Sequence, residues 1–341
     1  MSYHSTEQFL PIQCFIMFKR LEVDAVALGE LLIDFSCRSA DSDGFPVMEA
    51  HPGGAPANWL SALCRFGCSA AFIGKVGKDS FGNLLVEKLK SCGISTRGTI
   101  QDANVFTTLA FVTFNEENDR EFSFARKPGA DTCLCPEEVD TSLIDGCRVF
   151  HFGTLSLTDE PARSATIYAV KHARKAGKMV SFDPNLRKPL WKDLSRASEE
   201  MLWGIRHCDV LKISDEEIEF LFGKVDNAEI AGRLIREYGV KLVFITMGKD
   251  GCFYANRNAS GHVPGLSGLC ILDTTGAGDI FGGSAMYGIL KSGKEADELS
   301  EDELERITRF ACISAGLSTE KPGGLDSVPR IEAIIKHGGL L

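Results

Sequence analysis

The sequence lacks the features that mark a membrane protein or a nucleic-acid-binding protein. No apolar run approaches the roughly 18 residues that a membrane span requires, and no cluster of Lys and Arg is present. Lys and Arg number 37 against 47 Asp and Glu, which gives a net charge of −10. Because the chain has no excess of cations to neutralise phosphates, we expect neither a nucleic acid nor a membrane as its partner.

The cysteines also lack the spacing of a metal site. The 12 cysteines are scattered from Cys14 to Cys312, without a C-x-x-C pair or a Cys/His cluster. This distribution favours reduced, buried thiols in a cytoplasmic protein over disulfides or zinc ligands. Cys64 and Cys68 are four residues apart, which is the spacing of neighbours on one helix face.

Residues 1–20 differ from the rest of the chain. Their apolar stretch, residues 9–18, is interrupted by Pro11 and Gln13 and has no basic leader, so a secretory signal is not expected. We predict an extension outside the fold, followed by one domain over residues 21–335. A chain of 341 residues, 44% of them hydrophobic, can bury one large core without disulfide or metal staples.

Strand-like and helix-like patterns alternate along this domain. Short apolar runs predict strands, and apolar residues that recur with the helical period predict helices. The predicted strands are 23–28, 71–76, 178–183, 209–214 and 241–247, and the predicted helices are 81–92, 161–176, 193–207, 215–222 and 228–238. Strands separated by helices in this way predict an α/β fold with a mainly parallel sheet that is covered on both faces.

One segment interrupts the alternation. Residues 105–114 and 120–126 are rich in Phe, Thr and Val, and the polar residues 115–119 join them, a pattern typical of a β-hairpin. With the extended residues near 35–47, the hairpin is expected to form a small sheet that stands off the main domain. Such a sheet, built from about 35–50 and 103–128, would serve as a lid over a ligand cleft or as a dimer contact.

The strongest chemical signal is the run 273–279, Asp-Thr-Thr-Gly-Ala-Gly-Asp, which leads into an apolar helix. The backbone N–H groups of such a turn attract an anion together with the helix dipole, so Gly276, Ala277 and Gly278 form a candidate anion hole. Asp279 would lie in the first helical turn, where its carboxylate could accept a proton from a hydroxyl. The pairing suits phosphoryl transfer. The alternative is that the glycines serve helix packing and Asp279 is a capping carboxylate.

Three further segments carry polar groups that could meet a ligand. Gly53, Gly54 and Asn58 precede a helical run and combine close backbone approach with an amide that donates and accepts. Asp34 ends an apolar run, where a carboxylate could bind two neighbouring hydroxyls. The segment 183–187, Asp-Pro-Asn-Leu-Arg, ends a strand, and open α/β sheets bind ligands there. Each segment alone is more typical of a turn or a surface charge than of a ligand site.

Taken together and in this order, these motifs resemble the ribokinase/PfkB family of sugar kinases. The resemblance rests on residues 53–58, 74–82, 183–187 and 273–279. Residues 120–131, 149–153 and 190–191 are similar to the fructokinase branch of that family. The resemblance extends from about residue 22 to residue 329, which is nearly the whole chain beyond the N-terminal extension.

The resemblance implies a fold, a reaction and partners. The fold would be a three-layer α/β/α ribokinase-like domain with a mainly parallel central sheet and a small β lid, which often pairs in a homodimer. The reaction would transfer the γ-phosphoryl group of ATP, with Mg²⁺, to a sugar hydroxyl. In the fructokinase branch, the substrate is fructose and the product is fructose 6-phosphate.

The resemblance also implies roles for individual residues. Asp279 would be the general base, with Gly276, Ala277 and Gly278 as the anion hole and Arg187 facing the transferring phosphate. The sugar would be held by Asp34, Gly53, Gly54, Asn58 and Arg126, the last reaching from the lid. The nucleotide site would include Asn185, Lys212, Thr246, Gly248 and Gly251. Glu217 would serve Mg²⁺ through water, and Asp273 with the Thr275 carbonyl would bind a monovalent cation such as K⁺.

Two positions depart from the family pattern. Ser214 stands where the N-x-x-E motif has Asn, so the details of the metal shell are expected to differ. Trp59 and Leu60 follow Asn58 where small residues are usual, so the packing behind the sugar site is expected to differ as well.

The residues leave other functions open. The same fold could act on ribose, 2-keto-3-deoxygluconate or a nucleoside, or the chain could be a catalytically silent regulatory homologue. An acidic sugar is disfavoured because residues 107–114 supply Phe and Thr rather than a further cation or Tyr. A silent homologue is disfavoured because Asp279, Gly276 and Gly278 are all present.

Overall fold

The structure, a computed structural model, describes residues 23–114 and 120–341. The predicted extension at residues 1–20 and the predicted hairpin turn at residues 115–119 lie outside the described residues. No helix in the described part of the chain is both long enough and apolar enough to span a membrane.

The described strands form two separate sheets. In chain order they are β1 (Ala25–Leu28), β2 (Leu32–Ala40), β3 (Pro46–Gly53), β4 (Ala70–Gly77), β5 (Ile94–Asp102), β6 (Leu109–Phe114), β7 (Arg120–Ala125), β8 (Val149–Gly153), β9 (Met179–Asp183), β10 (Val210–Ser214), β11 (Leu242–Thr246), β12 (Cys252–Asn256) and β13 (Ser260–Val263). The large sheet has the order β13-β12-β11-β10-β9-β8-β1-β4-β5, and the small sheet has the order β3-β2-β6-β7. In the large sheet every pair from β5 to β11 is parallel, and β12 and β13 add antiparallel strands at one edge.

Helices cover both faces of the large sheet. They are α1 (Ala55–Arg65), α2 (Ser80–Ser91), α3 (Thr141–Asp145), α4 (Ala162–Lys175), α5 (Leu194–His207), α6 (Asp215–Phe222), α7 (Asn227–Tyr238), α8 (Ala277–Ser292), α9 (Glu301–Ser318) and α10 (Ile331–Lys336). Residues of α1, α2, α8 and α9 pack in one hydrophobic core, and residues of α3 to α7 pack in another. The predicted α/β architecture, with a mainly parallel sheet between two helical layers, is confirmed.

The two cores follow from the alternation of side chains along buried strands. In β1, Ala25 and Ala27 face the first core, whereas Val26 and Leu28 face the second, and all four residues are fully buried. A strand that is buried on both faces must be apolar throughout, and the continuous apolar run in the sequence predicted this strand for that reason.

The predicted boundaries are accurate where the chain carries a capping residue. The helix predicted over 215–222 has those bounds in the structure, because Ser214 and Glu217 form a capping box at its start. Asp226 begins α7 by accepting from two backbone N–H groups, and Gly239 ends it in the left-handed conformation, with φ of 78°.

The small sheet contains the predicted hairpin. Strands β6 and β7 pair antiparallel, β2 joins β6 in parallel, and β3 lies at the outer edge. The first hairpin strand begins at Leu109 rather than at the predicted residue 105. Thr107 is bound instead to Asp79 of the main domain, through its backbone N–H at 2.8 Å and through its hydroxyl. Residues before Leu109 therefore anchor the small sheet to the domain.

The described cysteines are free thiols, and one spacing prediction is wrong. Cys64 lies in α1, but Cys68 lies beyond the end of that helix, because Gly67 leaves the helical path with φ of 96°. The two cysteines therefore do not share a helix face.

The strand order fixes where a ligand can bind. The chain leaves β1, adds β4 and β5 on one side, and then returns to place β8 on the other side of β1. Such a reversal opens a crevice beyond the carboxyl ends of the strands, which is where open α/β sheets bind ligands.

Candidate active site

The first turn of α8 contains the residues predicted to form an anion hole. Gly276 is the N-cap and has φ of 77°, a left-handed conformation that L side chains rarely adopt. Ala277 and Gly278 follow in the first helical turn. The Ala277 N–H donates to the Thr274 carbonyl at 3.3 Å, a long contact, whereas the N–H of Gly278 belongs to the first turn, where a helix offers no intrahelical acceptor. Asp279 lies in the same turn, as predicted, and is 8% exposed.

A direct hydrogen bond joins two predicted site residues from distant parts of the chain. The Nδ2 of Asn58 donates to Oδ2 of Asp279 at 2.8 Å, across a separation of 221 residues. The prediction that Asn58 precedes a helix is wrong, because α1 begins at Ala55 and Asn58 lies in its first turn. Its other amide atom, Oδ1, is buried, and no group among the described residues donates to it. A buried acceptor without a donor is costly, so this atom suits a ligand hydroxyl.

The surroundings of Asp279 alter its acidity. Burial raises the pKa of the carboxyl above its usual value, and the bond from Asn58 and the charges of Lys212 and Arg187 lower it in part. Glu217 raises it further. A carboxylate with a raised pKa is a better proton acceptor near neutral pH than an exposed one.

Asp34 packs against the glycine pair that precedes α1. The Asp34 carboxylate of β2 packs directly on Gly53, because a Cβ at Gly53 would collide with its Oδ2. Gly54 has φ of 127°, and a Cβ there would collide with the Glu30 carbonyl oxygen. Burial raises the pKa of Asp34 to about 6; Arg187 lowers it, and Asp273 and Asp279 raise it. These charges place Asp34 and Asp279 in one site.

The segment after β9 carries a strained backbone. Asn185 has φ of 47°, the one positive value among non-glycine residues of the described chain, and its N–H donates to Asp183 Oδ1 at 3.2 Å. Such conformations cluster at ligand sites. Arg187, two residues later, is exposed, and its charge acts on both Asp34 and Asp279.

Lys212, predicted to contact the nucleotide, has a partner within the protein. Its Nζ lies 3.0 Å and 3.1 Å from the two carboxylate oxygens of Asp183, and 13% of its side chain is exposed. A Cβ added to Gly278 would lie 3.0 Å from this Nζ, so the ammonium is next to the anion hole.

Glu217, predicted to serve Mg²⁺ through water, supports two backbone segments. Its Oε2 accepts from the Ser214 N–H at 2.8 Å, and its Oε1 accepts from the Leu186 N–H at 2.7 Å. The departure at Ser214 has a structural reason, because its hydroxyl accepts from the Glu217 N–H and completes the capping box. Each oxygen keeps one further lone pair for a water.

The predicted nucleotide loop follows β11. Thr246 ends that strand beside Ser214 of β10, and Gly248 and Gly251 both have positive φ, of 54° and 94°. A Cβ at Gly251 would collide with the Val263 carbonyl oxygen, so only glycine fits there. A cavity of about 510 Å³ lies beside the loop, lined in part by Met247, Lys249 and Asp250.

The predicted monovalent-cation residues form a compact turn. Asp273 Oδ1 accepts from the N–H of Thr275 at 2.9 Å and from its hydroxyl at 2.7 Å. Asp273 Oδ2 accepts from the Gly323 N–H at 3.1 Å. The turn is thereby held against the segment that follows α9.

Arg126, predicted to reach the sugar from the lid, has several partners within the protein. Its guanidinium is buried and donates to Oδ2 of Asp131 twice, from Nε at 2.8 Å and from Nη2 at 2.7 Å. It also donates to the Thr158 hydroxyl and the Leu155 carbonyl, each at 2.8 Å. These contacts occupy four of its five N–H groups, so Arg126 mainly fixes the base of the small sheet to the main domain.

Two other features of the site were not predicted from the sequence. Trp59, at one of the departures from the family pattern, stacks on His151 with ring centroids 4.3 Å apart, and both are buried. Glu30 is buried and accepts from the Ala55 N–H at 2.8 Å, which fixes the glycine loop. Residues 151 and 30 lie in apolar runs, so their partners could be found only from the fold.

Comparison with known proteins agrees with this geometry. A family model described as "pfkB family carbohydrate kinase" matches residues 23–331. The chain is 39% identical over 313 residues to "Fructokinase-2" of Oryza sativa subsp. japonica, covering 90% of this chain and 91% of the relative. It is 40% identical over 323 residues to "Probable fructokinase-6, chloroplastic" of Arabidopsis thaliana, covering 93% of this chain and 82% of the relative.

Solved structures share the fold over the same range. A fructokinase with bound ATP from Xylella fastidiosa has a TM-score of 0.83 and 27% identity, covering 92% of this chain and 97% of that one. A fructokinase from Vibrio cholerae O395, in a form with bound fructose, ADP and calcium ion, has a TM-score of 0.81 and 28% identity, covering 92% and 98%. The resemblance stated from the sequence motifs is confirmed, and so is the ribokinase-like fold.

Proposed function

Since the chain belongs to the pfkB family of carbohydrate kinases, we propose that it phosphorylates fructose with ATP to give fructose 6-phosphate. The observation that carries the proposal is the bond from Asn58 to Asp279 at the glycine-rich start of α8. This bond supports the proposal because it brings the amide proposed to face the sugar next to the carboxylate proposed as the base. The identity of 39% to a fructokinase supports fructose as the sugar.

In the proposed reaction, Asp279 is the general base. Its carboxylate accepts the proton of the sugar hydroxyl while that oxygen forms a bond to the γ-phosphorus, and the bond from phosphorus to the bridging oxygen of ADP breaks. The raised pKa of Asp279 favours proton transfer near neutral pH, and Asn58 holds the carboxylate in one orientation. General base catalysis of this kind contributes about 10²- to 10⁴-fold in rate.

The anion hole and Arg187 would hold the charge of the transferring group. The backbone from Gly276 to Gly278 is fixed before the substrate arrives, so little reorganisation is needed beyond exchange of the 3.3 Å bond from the Ala277 N–H to the Thr274 carbonyl. Arg187 is exposed in the same crevice and can bind phosphate oxygens through two N–H groups. Asn185, Thr246, Gly248 and Gly251 border the nucleotide in this proposal.

The sugar would be held by the groups around Asp34 and the glycine pair. Asp34 accepts hydroxyl protons, Gly53 and Gly54 allow close approach, and the unpaired Oδ1 of Asn58 accepts one further hydroxyl. Arg126 has one N–H left and would contribute at most one hydrogen bond, because its other four are engaged.

The residues present fit a magnesium ion that is held mainly by phosphates and water. No cluster of three or more His, Cys, Asp or Glu side chains suited to a metal exists in residues 23–114 and 120–341. Mg²⁺ in kinases keeps several waters and few protein ligands, and Glu217 has lone pairs for such a water. When bound, the ion would neutralise charge on the β- and γ-phosphates. Asp273 and the Thr275 carbonyl remain the candidate ligands for K⁺.

Two further parts of the proposal concern the whole protein. We propose a homodimer that forms through the small sheet, which presents the exposed side chains of Phe45 and Val47. A cytoplasmic location stays part of the proposal, although the name of one relative places that relative in the chloroplast.

The experiment that tests the proposal is turnover with fructose and ATP for the unaltered chain and for Asp279→Asn. We expect a fall in kcat of about 10²- to 10⁴-fold for the variant. Asp302→Asn is the matched control, since Asp302 also lies in the first turn of a helix, α9, but is exposed. This control variant should keep the original rate. Near-normal rates for Asp279→Asn would contradict the assignment of Asp279 as the base.

The substrate is tested in the same assay with a panel of sugars. We expect kcat/KM to be highest with fructose, compared with ribose, 2-keto-3-deoxygluconate and adenosine. A higher kcat/KM for any of the other three would show that this compound, and not fructose, is the preferred substrate, while phosphoryl transfer itself would stand. If none of the sugars is phosphorylated but one of them binds tightly, the result would favour the silent homologue.

A further inference from the structure

Lys212 occupies an unusual position for a lysine. It extends from β10, in the middle of the parallel sheet, and its Nζ lies 3.0 Å and 3.1 Å from the two oxygens of Asp183 on β9. Asp183 is 4% exposed, so both charges are largely removed from water. Among the described residues, Asp183 is the one hydrogen-bond acceptor for Lys212, which leaves a third N–H on the ammonium.

The ammonium is close to the start of α8. A Cβ at Gly278 would lie 3.0 Å from Nζ and 3.5 Å from the adjacent methylene carbon. The presence of Lys212 needs no charged ligand to explain it. Because its ammonium lies next to the proposed anion hole, it adds a full positive charge to the partial positive charge of the helix end. Two positive fields therefore converge on the residues from Gly276 to Asp279.

The neighbouring charges agree with a charged ammonium. Burial opposes the ammonium, but the carboxylates of Asp183, Glu217 and Asp279 outweigh this effect and raise the pKa of Lys212. His151, on β8 two strands away, has its pKa lowered to about 3 by burial and by Lys212, so it is neutral. Of these two residues, only Lys212 therefore carries a positive charge.

We propose that Lys212 is a positioning residue for phosphoryl transfer: held by Asp183 beside the first turn of α8, its ammonium keeps Asp279 ionised and adds positive charge behind the anion hole. The inference rests on the proposed function, in which Asp279 is the base. Lys212 acts through Asp279 and the helix end, and the nucleotide contact predicted from the sequence is not needed for this role.

The role of Asp183 follows from the cost of burying charge. An unpaired buried ammonium is expensive, and removing one partner of a buried ion pair leaves the other uncompensated. Asp183 offsets that cost and fixes the ammonium by two contacts, while its own negative charge opposes ionisation of Asp279. The two members of the pair thus act on Asp279 in opposite directions.

This opposition separates the proposal from a purely structural ion pair. The charged and polar groups that act on Asp279 are Asn58 of α1, Arg187 after β9, Glu217 of α6, Lys212 of β10, Asp183 of β9 and Asp34 of β2. Lys212→Met removes an attractive charge and should raise the pKa of Asp279 by about one unit or more. Asp183→Asn removes a repulsive charge and should lower it. A structural role would give loss of stability in both variants without opposite shifts.

The decisive measurement is the pKa of Asp279 in the ligand-free chain, from carboxyl ¹³C NMR with labelled aspartate. The signal is assigned by its disappearance in Asp279→Asn. Lys75→Met is the matched control, because Lys75 is also a buried lysine, 4% exposed, with an ion pair to Glu138 at 2.7 Å. It should leave the pKa of Asp279 unchanged. The proposal is overturned if Lys212→Met shifts that pKa no more than Lys75→Met does.

Kinetics provide a second measurement. The acid limb of the kcat/KM profile should move to higher pH in Lys212→Met and to lower pH in Asp183→Asn, and KM for the sugar should stay within about twofold. If a single variant does not fold, the double variant Asp183→Asn/Lys212→Met replaces the ion pair with neutral groups of similar size. Because the two effects on Asp279 oppose each other, its pKa shift should be upward but smaller than that of Lys212→Met alone.

The two proposals fail in different ways. If the unaltered chain phosphorylates no sugar, the proposed function is wrong, whereas the NMR shifts would still report the electrostatic effect of Lys212. If the chain is an active kinase but both variants shift the acid limb in the same direction, the role of Lys212 is wrong and the kinase assignment stands.

Discussion

At the scale of single residues, Glu30 shows how a buried charge can support the substrate loop. It lies between β1 and β2, is 3% exposed, and accepts from the Ala55 N–H at the start of α1. Burial raises its pKa to about 7, and nearby Asp131 adds to the rise while Arg126 reduces it. The loop that would face the sugar is therefore held by a carboxyl group that titrates near neutral pH.

This pKa predicts a specific dependence of stability on pH. A carboxyl whose pKa is higher in the folded chain binds protons more tightly when folded, so its contribution to stability falls as pH rises from about 4.5 to about 7. Glu30→Gln removes that loss and keeps an acceptor for Ala55. The difference in Tm between this variant and the unaltered chain should increase from pH 5 to pH 7 and then level off.

The control for this prediction is Glu87→Gln, which removes an exposed carboxyl from α2. Thermal unfolding of all three proteins at several pH values provides the comparison. A difference for Glu30→Gln that stays constant over this range would show that the buried carboxyl is ionised throughout.

At the scale of elements, the site depends on the contact between α1 and α8. Trp59 of α1 packs on two glycines of α8: a Cβ at Gly282 would lie 3.0 Å from Trp59 Cδ1, and a Cβ at Gly283 would collide with the Trp59 carbonyl oxygen. The unusual Trp after Asn58 is thus matched by two small residues after Asp279. This close packing fixes the helices that carry the two hydrogen-bonded side chains.

The contact predicts opposite effects for two helical glycines. Gly283→Ala should destabilise the fold by about 1–3 kcal/mol, because the added methyl group meets backbone rather than a movable side chain. Gly232→Ala in α7 should be neutral or stabilising by up to about 1 kcal/mol, because its methyl group meets only the end of Arg236, at 2.8 Å, and alanine favours a helix. Urea unfolding measures both, and equal effects would contradict the packing argument.

Elements with clear periodicity or strong caps could be predicted from the sequence, and the others could not. The helix at 215–222 and the strand at 209–214 were predicted to within a residue, because apolar runs and a capping box mark them. Strand β5 was missed, since it lies at the sheet edge and alternates buried and exposed residues around charged and polar ones. Strands β12 and β13 break the alternation of strand and helix on which the prediction relied.

The site was predictable in its residue types but not in its pairings. The glycine-rich turn and Asp279 follow from local sequence, because a turn into a helix has the same geometry wherever it occurs. The partners of Asp279, Lys212 and Arg126 depend on tertiary packing. Asn58 and Asp279 are 221 residues apart, and no local pattern indicates that they meet.

At the scale of the whole molecule, the small sheet presents apolar surface to solvent. Phe45, just before β3, is 68% exposed, and Val47, in that edge strand, is 48% exposed. Exposed edge strands pair readily with another chain, and the proposed dimer would cover these side chains. The double variant Phe45→Asp/Val47→Asp is therefore expected to shift the protein from dimer to monomer.

Light scattering at micromolar concentration measures this shift directly. Ile335→Asp is the control, because Ile335 is 47% exposed on α10, in a different part of the fold, and should not change the mass. The monomeric mass for the unaltered chain would contradict the dimer, and so would the dimeric mass for the lid variant.

The separation of the two sheets has a consequence for how this protein can change over evolutionary time. Asp34 belongs to the small sheet, whereas Asp183, Lys212 and the first turn of α8 belong to the layers of the large sheet. The small sheet is contributed by two insertions, one between β1 and α1 and the other between β5 and β8. Substitutions in those insertions can alter which molecule is accepted while the groups that move the proton and the phosphate stay as they are.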